Sequence, residues 1–276
     1  MDLNTIAEIV QPRRRDAIPP RSEGDALLAG GTWLYSEPQP HLRRLIDLTT
    51  LGWPPIEMDD RGLRIAATCT VAKLNETVLP VAWTAAPLIG QCCRAFLASF
   101  KIWNTATVGG NICMSLPAGP MISLTTALDG VVTVWTADGG ERRLPVIEFI
   151  TGAKQNVLRA GDILRQIDLP VSVLTRRTAF RQLSLTPLGR SAALLIGTLS
   201  PRDGAFDLTV TASTARPIRL SFARLPETAT LQRRIADEIP DTLYYDDVHG
   251  NPRWRKHITP LLAEDIRNEL AGETVP

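Results

Sequence analysis

The sequence has little histidine, lysine or cysteine and no long apolar run. Its three histidines, His41, His249 and His257, are far apart, and none lies in an HExxH pattern that would hold zinc. Structural or solvent-facing roles are expected for them. Its four cysteines are Cys69, Cys92, Cys93 and Cys113. None forms a CxxC, and the adjacent Cys92–Cys93 pair is a poor frame for zinc or an iron–sulfur cluster. No stretch reaches about 18 uninterrupted apolar residues, so no membrane-spanning helix is expected. The start, Met1-Asp2-Leu3-Asn4, lacks a basic segment followed by an apolar one, which makes the reducing cytoplasm the expected location. GxSxG is absent, and with it the nucleophile elbow of the hydrolases. GxGxxG and GxxxxGK[ST] are absent too, so neither a Rossmann dinucleotide site nor a nucleoside-triphosphate loop is supported. With 30 basic residues against 29 acidic ones the net charge is +1, too small for a nucleic-acid-binding field. Of the basic residues only four are lysines. The triple Arg13-Arg14-Arg15 reads as a solvated face.

What is present is ordinary globular material: 44% hydrophobic and 21% charged over 276 residues. That length suits about two domains at roughly 100–200 residues each. Ala26-Leu27-Leu28-Ala29 and Leu45-Ile46-Asp47-Leu48 read as short strands, and Leu63-Arg64-Ile65-Ala66-Ala67 alternates as a strand does. Thr70 is placed to cap a helix opening at Val71. Residues 83–100 carry apolar residues at helical spacing and predict one buried helix. Val131–Thr136 and Glu141–Pro145 flank the turn Asp138-Gly139-Gly140 as paired strands, and Ile163–Pro170 alternates again. Beyond about residue 175 the character changes. Thr178–Leu183 and Phe206–Thr211 read as strands of a separate sheet, and 227–239 and 257–272 as helices. The main boundary is expected within 171–177. There are no internal repeats and no low-complexity segments.

Two glycine pairs carry the chemical signal. One is in Leu27-Leu28-Ala29-Gly30-Gly31-Thr32-Trp33-Leu34. The other is in Ile102-Trp103-Asn104-Thr105-Ala106-Thr107-Val108-Gly109-Gly110-Asn111-Ile112. Glycine lets backbone N–H groups turn inward and approach an anion, because no Cβ intervenes. Successive N–H groups then form a concave nest for phosphate oxygens. Thr32, Thr107 and Asn111 add side-chain donors. Either pair alone can be a simple tight turn; together, two nests suit a pyrophosphate.

The chain resembles the FAD-binding medium subunit of the molybdenum hydroxylases, the xanthine dehydrogenase and carbon monoxide dehydrogenase family. Ala29-Gly30-Gly31-Thr32 matches that family's AGGT loop. Ile102, Asn104, Ala106, Thr107, Gly109, Gly110 and Asn111 match its IxNxATxGGN segment. The likeness continues through Asp162-Ile163-Leu164, Leu169-Pro170 and Phe180-Arg181. It ends in Asp246-Asp247-Val248-His249-Gly250-Asn251 and Trp254-Arg255. It therefore spans nearly the whole chain.

The resemblance implies an α+β fold. A two-subdomain FAD-binding module of the PCMH or vanillyl-alcohol-oxidase type would cover 1–174, its subdomains about 1–56 and 57–174. A smaller domain with a three-stranded antiparallel sheet and helices would follow over 175–276. The implied cofactor contacts are Leu28, Ala29, Gly30, Gly31, Thr32, Trp33, Leu34, Thr107, Val108, Gly109, Gly110 and Asn111. Leu97, in the long helix, Ile163 and Leu164 would pack near the adenine or flavin rings, and Arg181 would be a cation near the flavin, for which a surface salt bridge is an equal alternative. No catalytic residue and no metal ligand is assigned to this chain. The implied function is that of an FAD electron-transfer subunit. It would pass electrons from the [2Fe–2S] clusters of a small subunit to an external acceptor. A large molybdenum-cofactor (molybdopterin) subunit would complete a heterotrimer, paired as a dimer of heterotrimers. Three positions depart from the family pattern. Pro120 stands where an acidic residue is usual, Trp103 where a basic residue is common, and Trp33 where an aspartate is common. Two other readings stay open: a stand-alone FAD oxidoreductase, and a non-catalytic assembly subunit that has lost FAD. Asp246-Asp247 reads as a turn or interface feature, since neighbours on a strand face opposite ways.

Overall fold

The computed structural model describes residues 3–272. Of the opening Met1-Asp2-Leu3-Asn4, the first two residues lie outside it. The chain begins with a small three-stranded parallel sheet in the order β1-β3-β2, formed by β1 (Glu8–Val10), β2 (Asp25–Leu28) and β3 (Arg44–Asp47). Asp25 starts β2. It accepts both Arg44 Nε, at 2.9 Å, and Arg44 Nη2, at 2.6 Å, and also the Ser22 N–H at 2.7 Å. The Arg44 guanidinium holds the Asp25 carboxyl well below the usual carboxylate range, against the opposing pull of burial.

A five-stranded antiparallel sheet follows, in the order β4-β5-β10-β6-β7. Its strands are β4 (Ile56–Asp59), β5 (Gly62–Ala66), β6 (Val131–Trp135), β7 (Glu141–Pro145) and β10 (Ile163–Pro170). Alternation sets its two faces. Leu63, Ile65, Ile167 and Leu169 turn inward to the core. Arg64 and Asp168 turn outward, where Arg64 Nε meets Asp168 at 3.2 Å and Arg143 meets it at 2.9 Å. On that outer side Trp53 and Trp135 pack edge to face at 5.3 Å, with Arg165 over Trp53 at 4.4 Å. Arg15 also lies over Trp135, at 4.7 Å, and donates to the Gly140 carbonyl. The arginine triple is thus only partly a solvated face. Arg13 and Arg14 are exposed, while Arg15 docks the N-terminal part onto this sheet.

Helices cover the inner face. These are α1 (Val71–Glu76), α2 (Ala86–Ala95), α3 (Phe100–Trp103), α4 (Val108–Met114) and α5 (Pro120–Ala127), then α6 (Val146–Phe149) and α7 (Val171–Leu174). The Thr70 hydroxyl accepts the Lys73 N–H at 3.1 Å, so the cap expected for α1 is present. The single helix expected over 83–100 is shorter than that, and a separate short helix begins only at its end. α2 ends at Ala95, Leu97 takes a left-handed φ of 26°, and α3 restarts after Ser99. Between α6 and β10 sits a two-stranded hairpin of β8 (Ile150–Gly152) and β9 (Gln155–Asn156).

The last part is a four-stranded antiparallel sheet, not the expected three-stranded one. It runs in chain order through β11 (Arg177–Leu183), β12 (Ala193–Leu199), β13 (Phe206–Thr211) and β14 (Ile218–Phe222). One strand that the sequence reading did not name is β12, an apolar run with both faces buried, which shows no alternation. Leu194 and Ile196 face the first core, against α5. Leu195 faces a second core closed by α8 (Thr228–Glu238) and α9 (Pro252–Ala271). All eight residues of α5 are buried because it lies between β12 and β13 on one side and the helices α2, α4 and α6 on the other. Its Ser123 hydroxyl meets the Thr211 hydroxyl at 2.6 Å.

Asp246-Asp247 lies in a turn. Asp247 Oδ1 accepts the His249 N–H at 2.8 Å and Arg255 Nη2 at 2.6 Å. Arg255 is 1% exposed and also donates to the Tyr245 carbonyl at 2.8 Å. This charge-assisted pairing makes the segment a structural anchor for the start of α9.

Candidate functional site

Ala29–Leu34 leaves the C-terminal end of β2 as an irregular, half-buried turn. Gly31 has a left-handed φ of 67°, and a Cβ there would lie 2.6 Å from the Tyr35 ring. The loop closes on itself through its carbonyls: Gly31 O accepts the Tyr35 N–H at 2.8 Å, and Trp33 O accepts the Ser36 N–H at 3.0 Å. Among the described residues, no protein acceptor takes the N–H groups of Gly30, Gly31, Thr32, Trp33 or Leu34. Five consecutive half-buried amides without a protein partner are free to bond water or a ligand. They are what a phosphate-binding turn requires.

The second glycine pair is built differently. Gly109 and Gly110 lie in the first turn of α4, behind the N-cap Thr107. Its amides are engaged: Val108 N–H to Cys69 O at 2.8 Å, Gly109 N–H to Ala67 O at 2.9 Å, and Gly110 N–H to the Thr107 hydroxyl at 3.0 Å. The Asn111 N–H goes to Thr107 O at 3.0 Å. The expectation of a second nest of free amides is therefore corrected. Gly109 serves close packing instead: a Cβ there would sit 2.4 Å from the Ala67 Cβ. Asn111 Oδ1 accepts the Met121 N–H at 3.1 Å and so supplies the cap that Gly119 cannot give α5. Pro120, at the first position of α5, needs no N–H there. Asn104 is also spent locally, its amide donating to Phe100 O at 2.9 Å.

The two segments nevertheless meet. A Cβ on Gly30 would fall 1.9 Å from the Thr105 carbonyl oxygen, so only glycine permits this approach. A second contact reaches the same loop from Lys154, whose Nζ stands over the Trp33 ring at 5.7 Å. Lys154, in the β8–β9 turn, escapes sequence reasoning, because nothing local links it to Trp33.

Ile163 and Leu164 are 4% and 3% exposed, at the start of β10 within the sheet. Leu97 is not in the long helix but beyond its end, 39% exposed. Arg181, on β11, is committed to α9: it bonds Glu269 at 2.5 Å and has Asp265 at 3.9 Å. The salt-bridge alternative describes it.

The geometry of the first loop therefore fits a pyrophosphate-bearing group, held by loop amides and approached by one cation. The model of a family described as the FAD binding domain in molybdopterin dehydrogenase matches residues 4–172, more than half of the chain. The chain belongs to this family, and its fold is that of the family's FAD-binding subunits. Among curated proteins it is similar to the caffeine dehydrogenase subunit beta of Pseudomonas sp. (strain CBB1), 35% identical over 85 residues. That match covers 31% of this chain and 28% of the relative, well under two thirds of its length. Among solved structures, it shares its fold with a chain of quinoline 2-oxidoreductase from Pseudomonas putida 86. The TM-score is 0.75 at 16% identity, over 99% of both chains. A chain of the CO dehydrogenase from Oligotropha carboxidovorans gives a TM-score of 0.76 at 19% identity over 91% of both. Among the described residues no helix is long and apolar enough to cross a membrane.

Proposed function

We propose that this chain is the FAD-carrying electron-transfer subunit of a molybdenum-dependent hydroxylase or dehydrogenase, working in the cytoplasm. Its module would cover 1–174, with 175–276 as the C-terminal domain. The observation that carries the reading is the row of unpaired amides from Gly30 to Leu34, set against Thr105 in a chain of this family. These amides would take the pyrophosphate oxygens. Gly30 brings the loop close enough to the Thr105–Thr107 segment for both to border one ligand. A bound flavin accepts electrons singly and passes them on as a pair, which suits a relay. The chain's own residues bind, orient and shield. Cys69, Cys92 and Cys93 are closed inside the first core, where burial pushes the thiols of Cys69 and Cys93 up to about 12. They are packing residues rather than cluster ligands. The [2Fe–2S] clusters and the molybdenum cofactor are accordingly assigned to a small and a large partner subunit, in a dimer of heterotrimers. The names of the similar proteins, dehydrogenases and an oxidoreductase, support an oxidoreductase complex.

The test is anaerobic. Aldehydes, alcohols and heterocycles are offered to the isolated chain and to the complex purified with its partners, while flavin absorbance is followed. Bleaching in the complex alone is expected. Rapid bleaching of the isolated chain would make it a stand-alone oxidoreductase.

A further inference from the structure

We propose that Lys154 is an anion-binding residue of the first glycine loop, its ammonium braced by the Trp33 ring and paired with the pyrophosphate of FAD. The proposal rests on the FAD reading above and adds a residue to it. Ala153 and Lys154 join β8 to β9, with Gly152 opposite Gln155 across the turn. Lys154 has a φ of 58°, in the left-handed region that favours glycine. A glycine would relieve the turn but could not place a charge there. Strain of this kind persists where surrounding structure enforces it, and it concentrates at ligand clamps.

The enforcement is visible. The Lys154 N–H donates to Ser115 O at 2.8 Å, and Asn156 Nδ2 donates to Cys113 O at 2.8 Å and to the Ser115 hydroxyl at 3.2 Å. The hairpin is thereby pinned to the C-terminal end of α4. The other end of the same segment carries Thr105, which touches Gly30. One rigid stretch, 105–115, thus positions both the floor of the loop and the turn that bears the cation. Lys154 makes no ion pair among the described residues, so its charge is not spent on a carboxylate. Its ammonium lies over the ring of Trp33, whose own N–H is one of the five free donors. Free backbone donors and an ammonium that makes no ion pair, both at the same loop, are the donor set of an anion site. A lysine fits this task as a compact charge on a flexible stem.

The experiment measures FAD binding to the full apo chain by fluorescence at several salt concentrations, beside thermal melting. For Lys154→Met the dissociation constant should rise about tenfold and its salt dependence should flatten. Lys154→Arg should recover most of the affinity. Lys154→Gly should weaken FAD binding equally while raising the melting midpoint, because strain is removed along with the charge. A structural role would instead lower the midpoint of Lys154→Met. Unchanged affinity and salt dependence in Lys154→Met would overturn the proposal and leave the FAD reading standing. Absence of FAD binding to the wild-type chain would overturn both.

Discussion

Gly30 lies directly against the carbonyl of Thr105, so close that a methyl group on Gly30 would stand 1.9 Å from that oxygen. This contact fastens the N-terminal sheet's loop to the segment that begins α4. The two glycine motifs of the sequence are therefore two walls of one place, although only the first offers free amides.

Gly30→Ala is predicted to drive the walls apart. Overpacking of this sort costs about 1–3 kcal/mol, and a backbone oxygen cannot swing aside. The melting midpoint should fall, and FAD content of the purified chain should fall with it. A Gly30→Ala chain with wild-type stability and full flavin would show that the contact is dispensable.

Gly109 and Gly110, although adjacent, are predicted to behave differently. A Cβ on Gly109 meets the backbone and side chain of Ala67, so Gly109→Ala should destabilise by about 1–3 kcal/mol. A Cβ on Gly110 meets only the Thr107 hydroxyl, at 2.8 Å. Gly110→Ala gains about 1 kcal/mol of helix propensity and loses a cap worth about the same. Its net change should be small. Chemical denaturation of the pair decides it, and equal losses would contradict the structure.

Asp25→Asn tests the start of β2, the strand that leads into the first loop, through pH. The folded carboxyl titrates well below its ordinary value of about 3.9, because Arg44 holds it ionised. A depressed carboxyl stabilises above its unfolded pKa and loses that contribution as pH falls toward the folded one. The variant should therefore melt earlier than wild type at pH 7. The gap should narrow only below about pH 4. A gap that is constant down to pH 2 would mean the pairing with Arg44 contributes nothing.

Much of this architecture is legible in the sequence where the signal is local. The Thr70 cap, the β6–β7 turn at Asp138-Gly139-Gly140 and the alternation of β10 all depend on near neighbours. β12 is not legible, because a strand buried on both faces has no alternation to detect. α4 and α5 are hidden for another reason. Gly109-Gly110 and Pro120 look like breakers but occupy first-turn positions, where they are tolerated. The motif at Asn111 is visible, yet its task of capping α5 across ten residues is not. Lys154 is invisible because its partner Trp33 lies on a different sheet's loop.

This chain itself is expected to hold FAD, through loop amides rather than a covalent link. The direct measurement is acid precipitation of the purified yellow protein, followed by identification and quantification of the flavin in the supernatant. One FAD per chain, all of it released, is the expected result. A colourless protein, FMN in place of FAD, or colour that stays with the precipitate would contradict it.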